Sequence, residues 1–260
     1  MTVTAKLNTT VLAPVGPDKP LLVVSPSLGT SAVALWEDAA KFLAGSFGVV
    51  GIDLPGHGAS KTVAPLTDMA SLARAALASA EEFANGKPFY FAGVSVSGCI
   101  TLQLLLDAPE MLAGAIICNS AAKIGEHAGW MERAEYVRGA GTEAMRAASP
   151  DRWFAPGFME RNPARAEALL DSLVDADAGG YAGVCEALAT FDVRAQLASI
   201  SRPVLVIGGE NDVATPPEQQ RFLADTIPGA GLRVLSRVAH LAPAENPEGV
   251  AEAVKEYFTL

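Results

Sequence analysis

Phe89-Tyr90-Phe91-Ala92-Gly93-Val94-Ser95-Val96-Ser97-Gly98-Cys99-Ile100-Thr101-Leu102 is the stretch on which the reading of this chain turns. An aromatic, apolar run with strand character meets a Gly-x-Ser-x-Ser-Gly turn, and an apolar segment of helix length follows at once. So tight a strand-to-helix turn leaves no room for bulky neighbours, so small residues must flank the serine two places before and after it. The hydroxyl is then lifted clear of the sheet, and the next backbone N–H points at whatever the hydroxyl attacks. Gly93 and Ser97 are those flanks if Ser95 is a nucleophile. The same residues also describe an ordinary glycine-containing turn with incidental serines, because short motifs recur by chance.

Outward from this turn the chain alternates strand and helix. Leu21-Leu22-Val23-Val24 is a fully apolar run, the pattern of a central strand covered on both faces. It runs into Ser25-Pro26-Ser27-Leu28-Gly29-Thr30 and a helix carrying Trp36, Ala39, Phe42 and Leu43. Val49-Val50-Gly51-Ile52 is the next strand, and an Ala- and Leu-rich helix spans about 68–83. Ile100 to Leu106 is apolar on every side, which marks a buried helix, and Leu112 to Cys118 is again a strand. Upstream, residues 2–13 alternate loosely and supply one or two opening strands before Pro14, Gly16, Pro17 and Pro20. From Asn119 to about Thr190 the rhythm breaks into helical stretches rich in Arg and Glu, with Trp130 and Trp153 and no strand. It resumes with a strand at 204–208, a helix at 217–227, a strand at 232–235 and a final helix that Asn246-Pro247 opens.

Such alternation predicts an α/β fold with a mostly parallel central sheet flanked by helices. The expected core is 1–119 with 191–260, and 120–190 is a helical cap inserted after the sixth strand. A ligand site is expected where the cap meets the core. With 260 residues, half of them hydrophobic and 18% charged, there is ample material for one large core. No apolar run reaches membrane-crossing length, and Met1 to Lys6 lack the basic-then-apolar layout of a signal peptide. Cys99, Cys118 and Cys185 have neither paired nor metal-type spacing and read as buried free thiols in a reducing, cytoplasmic setting. A net charge of −10 without a basic cluster argues against nucleic acid or an anionic membrane as partner. A small anionic substrate would therefore need a local cation.

Functional groups in an open α/β sheet gather at the carboxyl ends of the strands. Ser95 lies at one, Asp212 a few residues past another, and His240 after the last. This is the order in which α/β-hydrolases place nucleophile, acid and base. A serine hydroxyl attacks poorly until an imidazole takes its proton, and the imidazole needs a carboxylate to set its tautomer and stabilise its cation. Alone, Asp212 reads as a turn aspartate and His240 as a packed or surface histidine; together with Ser95 they read as a triad. Ser97 as nucleophile would push the turn into the helix. His57, in a Gly-His-Gly bend, reads as structural, His127 carries no role, and Asp192 and Glu210 are fallback acids. Acyl transfer also needs donors for an oxyanion. The backbone N–H of Val96 is one, and the loop after the Leu21–Val24 strand supplies the other, with the Leu28 N–H favoured. The chemistry calls for no metal or cofactor.

Ser27-Leu28-Gly29-Thr30, Trp36, and Asp53 through Gly56-His57-Gly58-Ala59-Ser60 resemble the N-terminal half of 3-oxoadipate enol-lactonases. The 120–190 segment is similar too, in Trp130 with Arg133, Arg152-Trp153-Phe154, and Gly180-Tyr181 followed by Cys185, Ala187 and Asp192. So is the end, in Asp212 with Ala214-Thr215-Pro216-Pro217 and in Ala239-His240-Leu241 with Glu245 and Pro247. The motifs of the sheet region are common to many α/β-hydrolases, and those of the cap are the narrower signal. Two residues depart from the pattern: Ser97 stands where the family has glycine, and Pro55 where it has arginine. The resemblance implies an α/β-hydrolase fold and a substrate, 3-oxoadipate enol-lactone, opened to 3-oxoadipate in aromatic catabolism through an acyl-enzyme on Ser95. Arg133 is the candidate for holding the substrate carboxylate and Arg138 the second, although arginines on a helical lid are commonly solvated ion-pair partners. Trp130 either closes over the ring or packs the cap onto the core. The rivals are another cofactor-free carboxylesterase, lactonase or C–C bond hydrolase, and a non-catalytic ligand-binding protein, which has no need of the acid and base.

Overall fold

The short apolar runs become strands because turn residues bound them and β-branched or aromatic side chains fill them. In the computed structural model, which describes residues 6–61 and 66–259, they are β1 (Thr9–Ala13), β2 (Leu21–Ser25), β3 (Gly48–Ile52), β4 (Phe89–Val94), β5 (Leu112–Cys118), β6 (Val204–Gly209) and β7 (Gly231–Leu235). They form a seven-stranded sheet in the order β1-β3-β2-β4-β5-β6-β7. β1 runs antiparallel to β3 and every other pairing is parallel. β2 and β3 are buried along their whole length, whereas the edge strands β1 and β7 are partly open. The helices between strands are α1 (Ala32–Leu43), α2 (Met69–Ala84), α3 (Val96–Asp107), α9 (Pro217–Thr226) and, after β7, α10 (Ala242–Glu245) and α11 (Pro247–Phe258).

Between β5 and β6 lies the helical segment α4 (His127–Ala140), α5 (Pro150–Trp153), α6 (Phe158–Arg161), α7 (Pro163–Val174) and α8 (Ala178–Thr190), with no strand among the described residues. It follows the fifth described strand and not the expected sixth. The opening region contributes one strand, Thr9–Ala13, and Met1 to Ala5 lie outside the described residues. The two ends of the segment meet where the Val193 N–H donates to the Ala122 carbonyl at 3.0 Å. Arg165 of α7 bonds the Ala34 carbonyl (3.1 Å) and Glu37 (2.7 Å) of α1 and pairs with Asp38. Gly180 opens the way for a backbone contact, because a Cβ there would sit 2.5 Å from the Pro55 carbonyl oxygen.

On α1, Trp36, Ala39 and Leu43 face the core, while Phe42 falls off that stripe and is exposed. α3 is buried on nearly all sides, as its composition requires. Asn246 caps α11 with its side chain on the Gly249 N–H, and Pro247 occupies the first turn. All three cysteines are buried and unpaired. No described helix is long and apolar enough to cross a membrane.

Candidate active site

Register brings the carboxyl ends of the inner strands level with one another. Ser25 pairs with Gly93, Val94 with Cys118, and Cys118 with Ile207. The residues just beyond those ends share one rim of the sheet: the Ser27–Thr30 loop, Ser95, Asn119, Asp212 and His240. Ser95 caps α3 with φ 57° and ψ −117°, a strained conformation for a residue with a Cβ. Surrounding bonds hold it there. Its N–H donates to the Cys118 carbonyl (3.0 Å), and its carbonyl accepts from the Gly98 N–H (2.8 Å) and the Ser120 hydroxyl (2.7 Å). A Cβ on Gly93 would lie 2.0 Å from the Ser97 carbonyl oxygen, so the residue two before the serine has to be glycine.

Asp212 is buried at the start of the loop after β6 and is held from several sides. It accepts from the Ala214 and Thr215 N–H groups, the Thr215 hydroxyl and the Asn119 amide, all at 2.9–3.0 Å. Both carboxylate oxygens lie 3.0 Å from His240 Nδ1. The carboxylate accepts, so the imidazole carries its proton on Nδ1 and leaves Nε2 with a free lone pair. Burial by itself raises the Asp212 carboxyl, but its electrostatic and hydrogen-bond interactions with His240 and the bonds from Thr215 and Asn119 outweigh it and keep the group below the usual carboxylate range. Asn119, itself at φ 46°, also donates to the Ala239 carbonyl at 2.7 Å, so one side chain braces the acid and the histidine loop together.

Ser95 and His240 line one cavity under the helical segment, with Ser27, Leu28, Trp130, Arg133, Arg152, Trp153 and Tyr181. The Ser27–Thr30 turn is closed by the Thr30 N–H on the Ser27 carbonyl (3.0 Å), and Gly29 takes φ +84°. That closure leaves the Leu28 N–H outside the turn's own bond. Val96 is the first residue of α3, where helix N–H groups have no intrahelical acceptor and the helix dipole favours negative charge. The turn after β2 and the first turn of α3 thus flank Ser95, and Leu28 lines the same cavity as the serine.

Arg133 lies over the Trp130 ring, 5.1 Å from its centroid, and lines the cavity together with Tyr181. Burial and the neighbouring Arg133 charge hold the Arg152 guanidinium below its usual range, and burial with the nearby Cys185 pushes Tyr181 up to about 12. No acidic side chain is among the described residues lining the cavity. Arg138 is elsewhere: it pairs with Glu186 of α8 at 2.6 Å and is not among the cavity residues. Five residues along a helix from Arg133 correspond to a turn of about 140°, which carries Arg138 to a different face. Trp130 donates to the Ile124 carbonyl at 2.5 Å while its ring stays in the cavity wall.

The other residues singled out have local partners. His57 is fully buried with Nδ1 on the Pro55 carbonyl (2.8 Å), and its ring stacks on Tyr181. His127 contacts the Ala189 carbonyl, Asp192 pairs with Arg194, and Glu210 faces the Arg237 N–H on the surface. Ser97 points away from the cavity, its hydroxyl on Pro26 and Ser25. Sequence reasoning missed the bracing by Asn119, Ser120, Thr215 and Glu245, and it missed Arg152 as a cavity cation. Asn119 and Ser120 could have been found from their place just past the strand next to the elbow strand. Nothing in the spacing points to Arg152.

The model of the alpha/beta hydrolase family matches residues 22–253. Among curated proteins, 3-oxoadipate enol-lactonase 2 of Acinetobacter baylyi is 36% identical over 238 residues, 92% of this chain and 88% of that protein. A putative carbamate hydrolase, RutD, of Pseudomonas syringae pv. syringae is 27% identical, covering 93% of this chain and 95% of that one. Among solved structures, the enol-lactonase from Burkholderia xenovorans LB400 superposes with a TM-score of 0.91 at 30% identity, covering 98% of this chain and 96% of that one.

Proposed function

The chain belongs to the alpha/beta hydrolase family, and on that premise we propose that it is a serine hydrolase opening the lactone ring of 3-oxoadipate enol-lactone. The observation that carries this reading is the pair of guanidiniums, Arg133 and Arg152, in the wall that Ser95 and His240 also line. A chain of net charge −10 that gathers two cations around a serine–histidine pair is suited to a small substrate with a carboxylate. The likeness to enol-lactonases supports the ring chemistry.

In this reading the Ser95 oxygen attacks the ring carbonyl carbon while its proton passes to His240 Nε2, and Asp212 steadies the imidazolium. The oxyanion is received by the Val96 and Leu28 N–H groups. The ring C–O bond then breaks, His240 returns the proton to the departing enol oxygen, and the enol tautomerises to the ketone, which drives the opening. Water deprotonated by His240 attacks the Ser95 ester and releases 3-oxoadipate. Arg133 and Arg152 hold the carboxymethyl carboxylate, and Trp130 forms the wall beside it.

Purified protein is given the enol-lactone and, separately, the neutral ester p-nitrophenyl acetate. Loss of lactone absorbance should fall by a factor on the order of 10⁴ or more in Ser95→Ala. Arg133→Ala should raise KM for the lactone roughly tenfold or more and leave the neutral ester nearly unaffected. Turnover of the ester but not the lactone would sink the substrate assignment. Turnover of neither would favour a binding protein.

A further inference from the structure

At the position where this chain departs from the glycine of the enol-lactonase pattern, a side-chain bond is formed that glycine cannot make. Ser97 is fully buried, and its hydroxyl lies 2.5 Å from the Pro26 carbonyl oxygen and 2.9 Å from the Ser25 hydroxyl. The Ser25 hydroxyl itself donates to the Ile52 carbonyl at 3.2 Å, which leaves its oxygen free to accept. The single Ser97 proton is thus shared between the last residue of β2 and the first residue of the loop after it, with the shorter contact to Pro26.

That contact joins the two segments that carry the oxyanion donors. On one side, Pro26 precedes Leu28 by two residues. The Thr30 N–H and hydroxyl both close on the Ser27 carbonyl, at 3.0 and 2.9 Å, so residues 27–30, Leu28 among them, form a closed turn directly after Pro26. On the other side, Ser97 follows Val96 directly in the first turn of α3. That turn is locked by the Gly98 N–H on the Ser95 carbonyl (2.8 Å) and by the Thr101 hydroxyl on the Ser97 carbonyl (2.8 Å). A loop held only at its ends drifts more than the elements it connects. Donors aimed at a tetrahedral oxygen are needed within about half an ångström of their place.

We propose that Ser97 is a positioning residue whose hydroxyl sets the spacing of the Leu28 and Val96 N–H groups, so that the oxyanion site is preorganised. This rests on those two groups being the oxyanion donors. The carbonyl oxygen moves into that site as the carbon becomes tetrahedral, so the contribution falls on the transition state and on kcat. Ground-state binding of the substrate carboxylate, which Arg133 and Arg152 provide, does not involve this contact and is left alone.

The test compares wild type with Ser97→Ala, which removes only the hydroxyl, and with Ser97→Gly, which installs the residue of the enol-lactonase pattern and covers the case in which the alanine variant does not fold. The readouts are kcat and KM, thermal stability, and inhibition by two ligands. One is a trifluoromethyl ketone, whose carbonyl carbon bonds the Ser95 oxygen while the proton goes to His240, giving a tetrahedral adduct. The other is a small dicarboxylate that forms no bond. Both variants should lose about tenfold in kcat, less than removal of a whole donor, with KM within about twofold. They should lose the same factor in affinity for the ketone and none for the dicarboxylate. Unchanged kcat overturns the proposal, and so does an equal loss for both ligands that follows the fall in thermal stability. If wild type does not bind the ketone, or Ser95→Ala binds it equally well, the reading of the site fails, and the proposal fails with it.

Discussion

Gly93 is the most tightly constrained residue of the serine turn. A methyl group there would meet the Ser97 carbonyl oxygen at 2.0 Å and its carbon at 2.2 Å, both backbone atoms of a buried helix that cannot step aside. Gly93→Ala should therefore cost about 4 kcal/mol or more, beyond the ordinary range for a single substitution, and equilibrium urea unfolding measures it. A loss below about 1 kcal/mol would show that the helix can shift. Gly98 is a further small position beside the fully buried Ser97. At Gly98 a Cβ would lie 2.4 Å from Ser120 Cβ, while the Ser97 hydroxyl finds acceptors at the end of β2 and in the loop after it. The spacing rule sees only that the turn is tight; which neighbour crowds which position depends on strands far away in the chain.

At the scale of elements, the loop carrying His240 is held by α10 and by the helical segment above it. Glu245, the last residue of α10, accepts from the Ala239 N–H at 2.9 Å and the Leu241 N–H at 3.3 Å on one oxygen, and from the Ala155 N–H at 2.7 Å on the other. The His240 N–H in turn donates to the Trp153 carbonyl at 3.1 Å. Residues 153–155 are thus tied to the histidine loop by the same carboxylate that shapes it. Burial pushes the Glu245 carboxyl up in spite of these bonds. Glu245→Gln puts an NH₂ group where one of the carboxylate oxygens accepts. It should destabilise the protein by about 1–3 kcal/mol, read as a shift in the urea midpoint. An unmoved midpoint would show that these bonds contribute nothing net.

At the scale of the whole molecule, His57 sits where the sheet region and the helical segment meet. Its ring stacks on Tyr181 of α8, centroids 5.9 Å apart, and the adjacent Gly56 carbonyl accepts the Asp177 N–H at 2.7 Å. Burial, the largest cause, lowers the imidazole from 6.5 to about 4. Above pH 6.5 the ring is neutral in folded and unfolded chains alike. Below it the unfolded chain takes up a proton that the folded chain refuses until about pH 4, so stability falls across that window. A drop from 6.5 to about 4 corresponds to roughly 3 kcal/mol. Comparing urea unfolding at pH 7 and 4.5, wild type should lose roughly 2.5 kcal/mol more than His57→Gln, the last part of the effect lying below pH 4.5. Equal losses would place the acid sensitivity at other groups.

The sequence by itself determined the α/β class, the placement of six strands, the buried α3 and the order of Ser95, Asp212 and His240. These are legible because strand and helix periodicities are local, and because a serine turn needs small residues at fixed offsets. Phe42 shows the limit even there: spacing alone put it with Trp36 on one helix, and only packing left it exposed. The tertiary structure alone decided what surrounds the rim of the sheet. It brought Asn119 to Asp212 across 93 residues, Glu245 to Ala155 across 90, and the Ser97 hydroxyl to Pro26 across 71. It also put Arg152 in the cavity wall and turned Arg138 away. No local pattern encodes such contacts, because they depend on which strand ends lie side by side and on how the helical segment settles over them.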